Sequence, residues 1–213
     1  MILGVTNLAV QRGSLLILAG ISLELDRGRA MILRGPNGVG KTSLLRTLAG
    51  LQPALDGQIS IATEDLVYGS HSDGVKATLS AWENLQFWAA IHGNADAVED
   101  ALAAMELEHL AHRRGSDLSA GQRRRLGLAR LLVAGRKLWL LDEPTVSLDA
   151  DSVTLFEMAI GRHLEAGGSA LIASHLAHGL PGVDELDLTP FRQQAIRMLR
   201  EGDNHDDFAE GCS

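Results

Sequence analysis

The chain has 213 residues, 46% of them hydrophobic and 22% charged, which suits one large soluble domain or one domain with a lobe. A net charge of −8 excludes a protein whose main task is coating nucleic acid, and the lone cysteine, Cys212, excludes an internal disulfide. No uncharged apolar run approaches the roughly 20 residues of a membrane-spanning helix, so any action at a membrane is expected to pass through a partner.

In chain order, short strands are expected at Leu3 to Val10, Leu15 to Leu18, Ile21 to Leu25 and Ala30 to Leu33. The alternation of Ile21 to Leu25 reads as an edge strand, and the unbroken apolar run of the last reads as a buried one. A glycine-rich loop and a helix from Lys41 to Ala49 come next, then turn residues Asp56-Gly57 and a strand Gln58 to Ile61. Residues 80–135 carry helical patterning and no convincing strand. Within them Trp82, Leu85 and Trp88 follow helical spacing as a packed face, and Arg123-Arg124-Arg125 with Arg130 read as a solvated outer face. A buried strand Leu138 to Leu141, a helix from about Asp149 to Glu165 and a strand Ala170 to Ala173 complete the core. Strands on both sides of a helical insert predict an α/β core with a helical lobe at about 75–135, in a single domain of residues 1–190. From 191 to 213 a polar tail is expected, with Phe191, Ala195 and Leu199 at helical spacing, as a short docking helix or a frayed end.

Gly35-Pro36-Asn37-Gly38-Val39-Gly40-Lys41-Thr42 fits G-x-x-x-x-G-K-[ST] at every fixed position, between an expected strand and an expected helix. Glycines let the backbone wrap phosphates, the helix start adds about half a positive charge, Lys41 bridges terminal phosphates and Thr42 offers a hydroxyl to Mg²⁺. Leu138-Trp139-Leu140-Leu141-Asp142-Glu143 ends a buried strand in two acids. Adjacent strand residues project oppositely, so the two need not share a role: Asp142 suits holding Mg²⁺ through its water and Glu143 is placed to polarise the attacking water. His175, just past the strand ending at Ser174, is the candidate γ-phosphate sensor. Leu118-Ser119-Ala120-Gly121-Gln122 precedes a helical run to Ala134, with Ser119 placed to cap it and Gly121 leaving a ligand unobstructed. That makes two anion-binding helix starts, where one phosphate chain needs one.

From about Leu3 to His175 the sequence resembles the ATP-binding cassette family, the nucleotide-binding subunits of ABC transporters. The resemblance implies a P-loop NTPase fold with a mixed or parallel sheet core, an N-terminal antiparallel β subdomain and a helical lobe. It implies ATP and Mg²⁺ as ligands, with Gly35 to Thr42 and Ser43 as the nucleotide loop and Lys41, Glu143 and His175 as catalytic residues. Leu118 to Gln122 match the family signature, with Ala120 where glycine is usual, and Ser147-Leu148-Asp149 match the D-loop. In that family the signature of one subunit caps the nucleotide of the other, which implies a homodimer and accounts for the surplus anion site.

Arg12 stands near the family's adenine-stacking aromatic residue, and its guanidinium plane offers a stacking surface instead. His71 stands at the position of the Q-loop glutamine. The stretch Gly74 to Leu85, G-x-K-x-x-L-[TS]-x-x-E-N-L with Lys76, Leu79, Ser80, Glu83, Asn84 and Leu85, is similar to the cytochrome c maturation subgroup, often called haem exporters. That similarity implies integral membrane partners at the cytoplasmic face of a bacterial inner membrane, with no direct nucleic acid contact. An ATPase of another small transporter, or a soluble cassette acting on ribosome or DNA, stands as the alternative.

Overall fold

The computed structural model describes residues 1–61, 63–70, 72–146, 148–174 and 182–209, with only the backbone of 63 and 202–209. His71, Ser147, His175 and Cys212 therefore lie outside the described residues.

Two sheets form the frame. The first is antiparallel, in the order β2-β1-β4, from β1 (Leu3–Arg12), β2 (Leu15–Leu25) and β4 (Ala54–Ser60). The two strands expected at 15–18 and 21–25 are one. Gly20, with φ of 77°, carries the chain through an irregular register without breaking it, and β2 occupies the sheet edge. Asp56-Gly57 is likewise no turn but part of β4. Gly57 sits at φ 94°, where a Cβ would lie 2.6 Å from the Asn7 carbonyl oxygen and from Leu8 Cα, so close strand approach demands glycine there.

The second sheet has five parallel strands in the order β5-β6-β7-β3-β8. They are β3 (Ala30–Arg34), β5 (Leu66–Gly69), β6 (Leu138–Asp142), β7 (Ser169–Ala173) and β8 (Asp184–Asp187). Period-two alternation divides its side chains between two cores. Leu138, Leu140, Leu171 and Ala173 face the antiparallel sheet, with Leu44, Leu45 and Leu48 of α1 (Lys41–Leu48) packed between the layers. Trp139, Leu141, Ala170 and Ile172 face the other way, onto α5 (Ala150–Glu165) and a helical lobe.

That lobe comprises α2 (Ala81–His92), α3 (Ala97–Ala104) and α4 (Ala120–Ala134). The Gly74 to Leu85 motif explains its own entry. Ser80 Oγ accepts from the Glu83 N–H at 3.1 Å while Glu83 Oε2 accepts from the Ser80 N–H at 2.7 Å, a capping box that starts α2. Asn84, 4% exposed, accepts from the Lys76 N–H and donates to the Lys76 and Ser80 carbonyls, fixing the preceding turn. Lys76 Nζ lies 4.0 Å from the Phe87 ring centroid. The face expected from Trp82 and Trp88 does pack against the core, whereas Phe87 and Ile91 of α2 remain exposed.

From Thr189 the chain continues as α6 (Thr189–Ala209), which packs against β2. Ala195 is fully buried with Ala9, Leu16 and Ala19, and Arg192 donates to the Leu16 and Ile17 carbonyls at 3.2 and 3.1 Å. No described helix is long and apolar enough to cross a membrane.

Candidate functional site

The strand order places β7 between β3 and β6, so the glycine loop after β3 and the acids ending β6 face one another across its carboxyl end. Crevices at the carboxyl ends of parallel strands are where such sheets bind ligands. Here a cleft of about 650 Å³ opens, lined by Arg12, Pro36, Asn37, Gly38, Gly40 to Ser43, Arg46, Gln52, Asp142 and Glu143. The loop adopts backbone conformations reserved for glycine: φ is 131° at Gly35, 79° at Gly38 and 125° at Gly40. At Gly40 a Cβ would also collide with Ile17 and Leu18, at 2.8 and 2.9 Å. Gly40 is the N-cap of α1 and supplies no side-chain cap, so the first turn presents its amides to whatever enters the cleft.

Lys41 is 7% exposed, donates to the Gly35 carbonyl at 2.9 Å and lies 4.0 Å from Glu143 Oε1. Burial pushes its ammonium pKa down, and the Glu143 and Asp142 carboxylates partly offset this. Asp142, 3% exposed, accepts from Thr42 Oγ1 at 3.0 Å and from the Tyr68 hydroxyl at 3.2 Å. A buried carboxylate beside a hydroxyl offers hard oxygens of the kind that suit Mg²⁺. Burial first, then the Asp142 charge and hydrogen bond, push the Tyr68 phenol up to about 12, so Tyr68 is a donor throughout the physiological range.

Glu143 occupies the left-handed region at φ 47°, a conformation costing a non-glycine residue on the order of 1–3 kcal/mol. It is held there by its own N–H on the Ala173 carbonyl at 2.9 Å and by acceptance at its carbonyl from Arg124 Nη2 at 3.1 Å. The same Nη2 donates to the Pro144 carbonyl at 3.0 Å.

The expected signature segment opens α4. Ser119 is its N-cap, with Ser119 Oγ accepting from the Gln122 N–H at 3.2 Å and Gln122 Oε1 accepting from the Ser119 N–H at 2.9 Å. Leu118 is buried, Ser119 and Ala120 are exposed, and a Cβ on Gly121 would meet nothing within 4 Å. Among the described residues nothing therefore requires a glycine there. Asp149 caps α5, its Oδ1 accepting from the Ser152 N–H at 2.8 Å; hydrogen bonding from the Ser152 side chain first, then from its N–H, holds the carboxyl below the ordinary value.

Sequence reasoning missed three residues. Gln52 Nε2 donates to the Gln11 and Ser43 carbonyls at 3.1 Å each, tying the end of β1, where Arg12 stands, to α1. Nothing in the sequence singled it out. Tyr68 is the only tyrosine in the chain, and a polar-tipped aromatic ending an apolar run is a usable signal. Arg124 belongs to the cluster read as a solvated face, and that reading fails: it is 5% exposed, and its helical neighbours Leu128 and Leu131 are buried. The spacing of Arg124, Leu128 and Leu131 places Arg124 on the apolar stripe. Arg125 also turns inward, donating to the Met105 carbonyl at 3.0 Å.

Tyr68→Phe is expected to lower folding stability by about 1 kcal/mol, because buried Asp142 loses one of its two hydroxyl donors. Urea denaturation measures it, and an unchanged midpoint would mean that the phenol contributes nothing to holding Asp142.

This fold, with a glycine-rich loop and an acid pair across one β-strand, defines a P-loop nucleotide-binding protein. The sequence pattern of the family described as ABC transporter matches residues 18–146, and the chain belongs to that family. Among curated proteins it is similar to the cytochrome c biogenesis ATP-binding export protein CcmA of Rhodobacter capsulatus, with 60% identity over 191 residues, 90% of this chain and 89% of that protein. The protein of the same name from Roseobacter denitrificans is 56% identical over 203 residues, 95% of this chain and 98% of its own length. Among solved structures, a putative ABC transporter ATP-binding protein from Pyrococcus furiosus superposes with a TM-score of 0.78 at 24% identity, covering 89% of this chain and 98% of that one. An ATP-binding cassette in a dimeric post-hydrolysis state, bound to ADP and Pi, gives a TM-score of 0.72 at 20% identity, covering 82% and 88%. At these identities the two structures establish the fold.

Proposed function

We propose that the chain is the ATP-hydrolysing subunit of a membrane complex for cytochrome c maturation, coupling ATP-driven pairing of two cassettes to haem handling or release of a haem-carrying chaperone. The observation that carries the maturation reading is the 60% identity to a cytochrome c biogenesis ATP-binding export protein across nine-tenths of the chain. The Gly74 to Leu85 stretch belongs to the same likeness, and its Ser80, Glu83 and Asn84 build the turn into α2.

In this reading the loop Gly35 to Ser43 and the start of α1 cradle the phosphates, with Lys41 on the terminal pair and Arg12 at the base end. Glu143 accepts a hydrogen bond from a water and aims it at the γ-phosphorus; the water oxygen bonds to that phosphorus as the bond to the bridging oxygen breaks, and the water's proton passes by way of Glu143 to the phosphate, leaving ADP and phosphate. Thr42 and Asp142 would hold Mg²⁺, which when bound neutralises phosphate charge. Ser119 of the partner subunit meets the γ-phosphate from the opposite side. Its oxygen accepts the Gln122 N–H in the capping box, which leaves the hydroxyl proton to be donated. The open space at Gly121 is where the partner's nucleotide would approach. His175 as γ-phosphate sensor, His71 as the Q-loop residue and Asp149 in the D-loop complete the proposed machinery.

The partners proposed are a second copy of this chain and integral membrane subunits, engaged at the cytoplasmic face of a bacterial inner membrane. Exposed Phe87 and Ile91 on α2 suit a docking helix from such a subunit. An affinity-tagged chain is expected to copurify with integral membrane subunits, and a strain lacking it is expected to lose its c-type cytochromes. Recovery with ribosomes or DNA, or normal c-type cytochromes in that strain, would contradict the proposal.

A further inference from the structure

We infer that Arg124 is a positioning residue for hydrolysis, its guanidinium fork holding the backbone turn that aims the Glu143 carboxylate. The inference rests on Glu143 acting on the attacking water.

Arg124 sits early in α4, the helix that Ser119 caps, and reaches two separate segments at once. Nη2 donates to the Glu143 and Pro144 carbonyls at 3.1 and 3.0 Å, while Nη1 donates to Asp73 Oδ1 at 3.2 Å and to the Ser70 carbonyl at 3.4 Å. Three of these four acceptors are neutral carbonyls, so the arrangement is not a simple charge pair. What it requires is a planar group with donors aimed in two directions, which arginine has and lysine lacks.

The seat is shaped for this contact. Three residues on, Gly127 has no side chain, and a Cβ there would lie 2.7 Å from the Asp73 carbonyl oxygen. The missing side chain lets residue 73 settle against α4, which brings its carboxylate to the Arg124 guanidinium. Asp73 thus orients the guanidinium, and the guanidinium holds the turn. Glu143 needs such support because its φ of 47° persists only where the surroundings over-determine it. Without Arg124 that backbone is free to relax, carrying the carboxylate out of line with the γ-phosphate. These acceptors lie at Ser70, Asp73, Glu143 and Pro144 and not on the glycine loop, so nucleotide affinity should not follow. Catalysis and binding then separate.

The test uses the full chain and compares Arg124→Met, Arg124→Lys, Asp73→Asn and Glu143→Gln in steady-state ATP hydrolysis, with thermal melting and equilibrium binding of a fluorescent ATP analogue. Arg124→Met is expected to lower kcat by about ten- to a hundredfold, the scale of a small misplacement of a reacting group, while KM and analogue affinity stay within about threefold. Arg124→Lys keeps the charge, folds, and recovers only part of kcat, because one ammonium cannot serve both segments. Asp73→Asn, which leaves both Nη2 bonds in place, is expected to lose less kcat than Arg124→Met. A folded Arg124→Met with wild-type kcat, or one whose loss lies in nucleotide affinity, would overturn the inference. If Arg124→Met does not fold, a wild-type kcat in Arg124→Lys overturns it instead. Wild-type turnover in Glu143→Gln would remove the role of Glu143 itself; a silent Arg124 variant beside an inactive Glu143→Gln defeats the positioning role alone.

Discussion

Glu143→Gln is expected to slow phosphate release by about a hundred- to ten-thousandfold, the usual contribution of a positioned acid or base. The amide is nearly the same size as the carboxylate, so the cleft keeps its shape and the left-handed backbone keeps its bonds to Ala173 and Arg124. What disappears is the negative acceptor beside Lys41, 4.0 Å away, against which a water can be polarised. In the proposed mechanism ATP binding rests on the loop and the start of α1, so it should persist. The ATP-bound pair in that proposed mechanism separates only on hydrolysis, so the variant should accumulate as an ATP-bound dimer on size exclusion. Unchanged hydrolysis would contradict the role given to Glu143.

Ser119→Arg has an equally large expected effect for a different reason. Locally the substitution removes the Ser119 half of a capping box, a loss of about 1 kcal/mol that Ser119→Ala would share. In a paired cassette it also places a bulky cation where the partner's phosphates approach, beside the space that Gly121 keeps open. Cooperative hydrolysis should therefore be lost, with monomer ATP affinity unchanged and Ser119→Ala far milder. Loss of nucleotide affinity in the isolated Ser119→Arg monomer would place Ser119 in its own chain's site.

How much of this was legible in the sequence follows from what each feature depends on. The loop Gly35 to Thr42, the acids Asp142 and Glu143 and the cap at Ser119 are local patterns, and the structure brings the loop and the acids to one cleft. Strand β5, only four residues long, shows too little alternation to be read, and β8 is acidic at three of its four positions. Both are strands because of the neighbours they pair with, a tertiary cause. Asp56-Gly57 has the composition of a turn, yet Gly57 answers to the approach of Asn7 and Leu8 from another strand.

Arg124 departs from its sequence pattern for a related reason. A run of three arginines looks solvated, but helical geometry turns Arg124 onto the buried stripe, where its acceptors come from segments far away in sequence. Tyr68 and Gln52 likewise matter through partners at Asp142 and at Gln11 and Ser43. Spacing can show that a residue is special only when its partners share the same short segment.

If each nucleotide site is built from two chains, as proposed, two defective variants should complement one another when mixed. In a Glu143→Gln background, one population carries Lys41→Ala and the other Ser119→Arg. Neither alone should retain ATP through gel filtration. In a two-fold pair every contact occurs twice, so a mixed pair joins the intact Lys41 loop of one chain to the intact Ser119 of the other. Mixed pairs should retain about one ATP per two chains. Absence of retained ATP in the mixture, with both variants folded, would contradict a shared site.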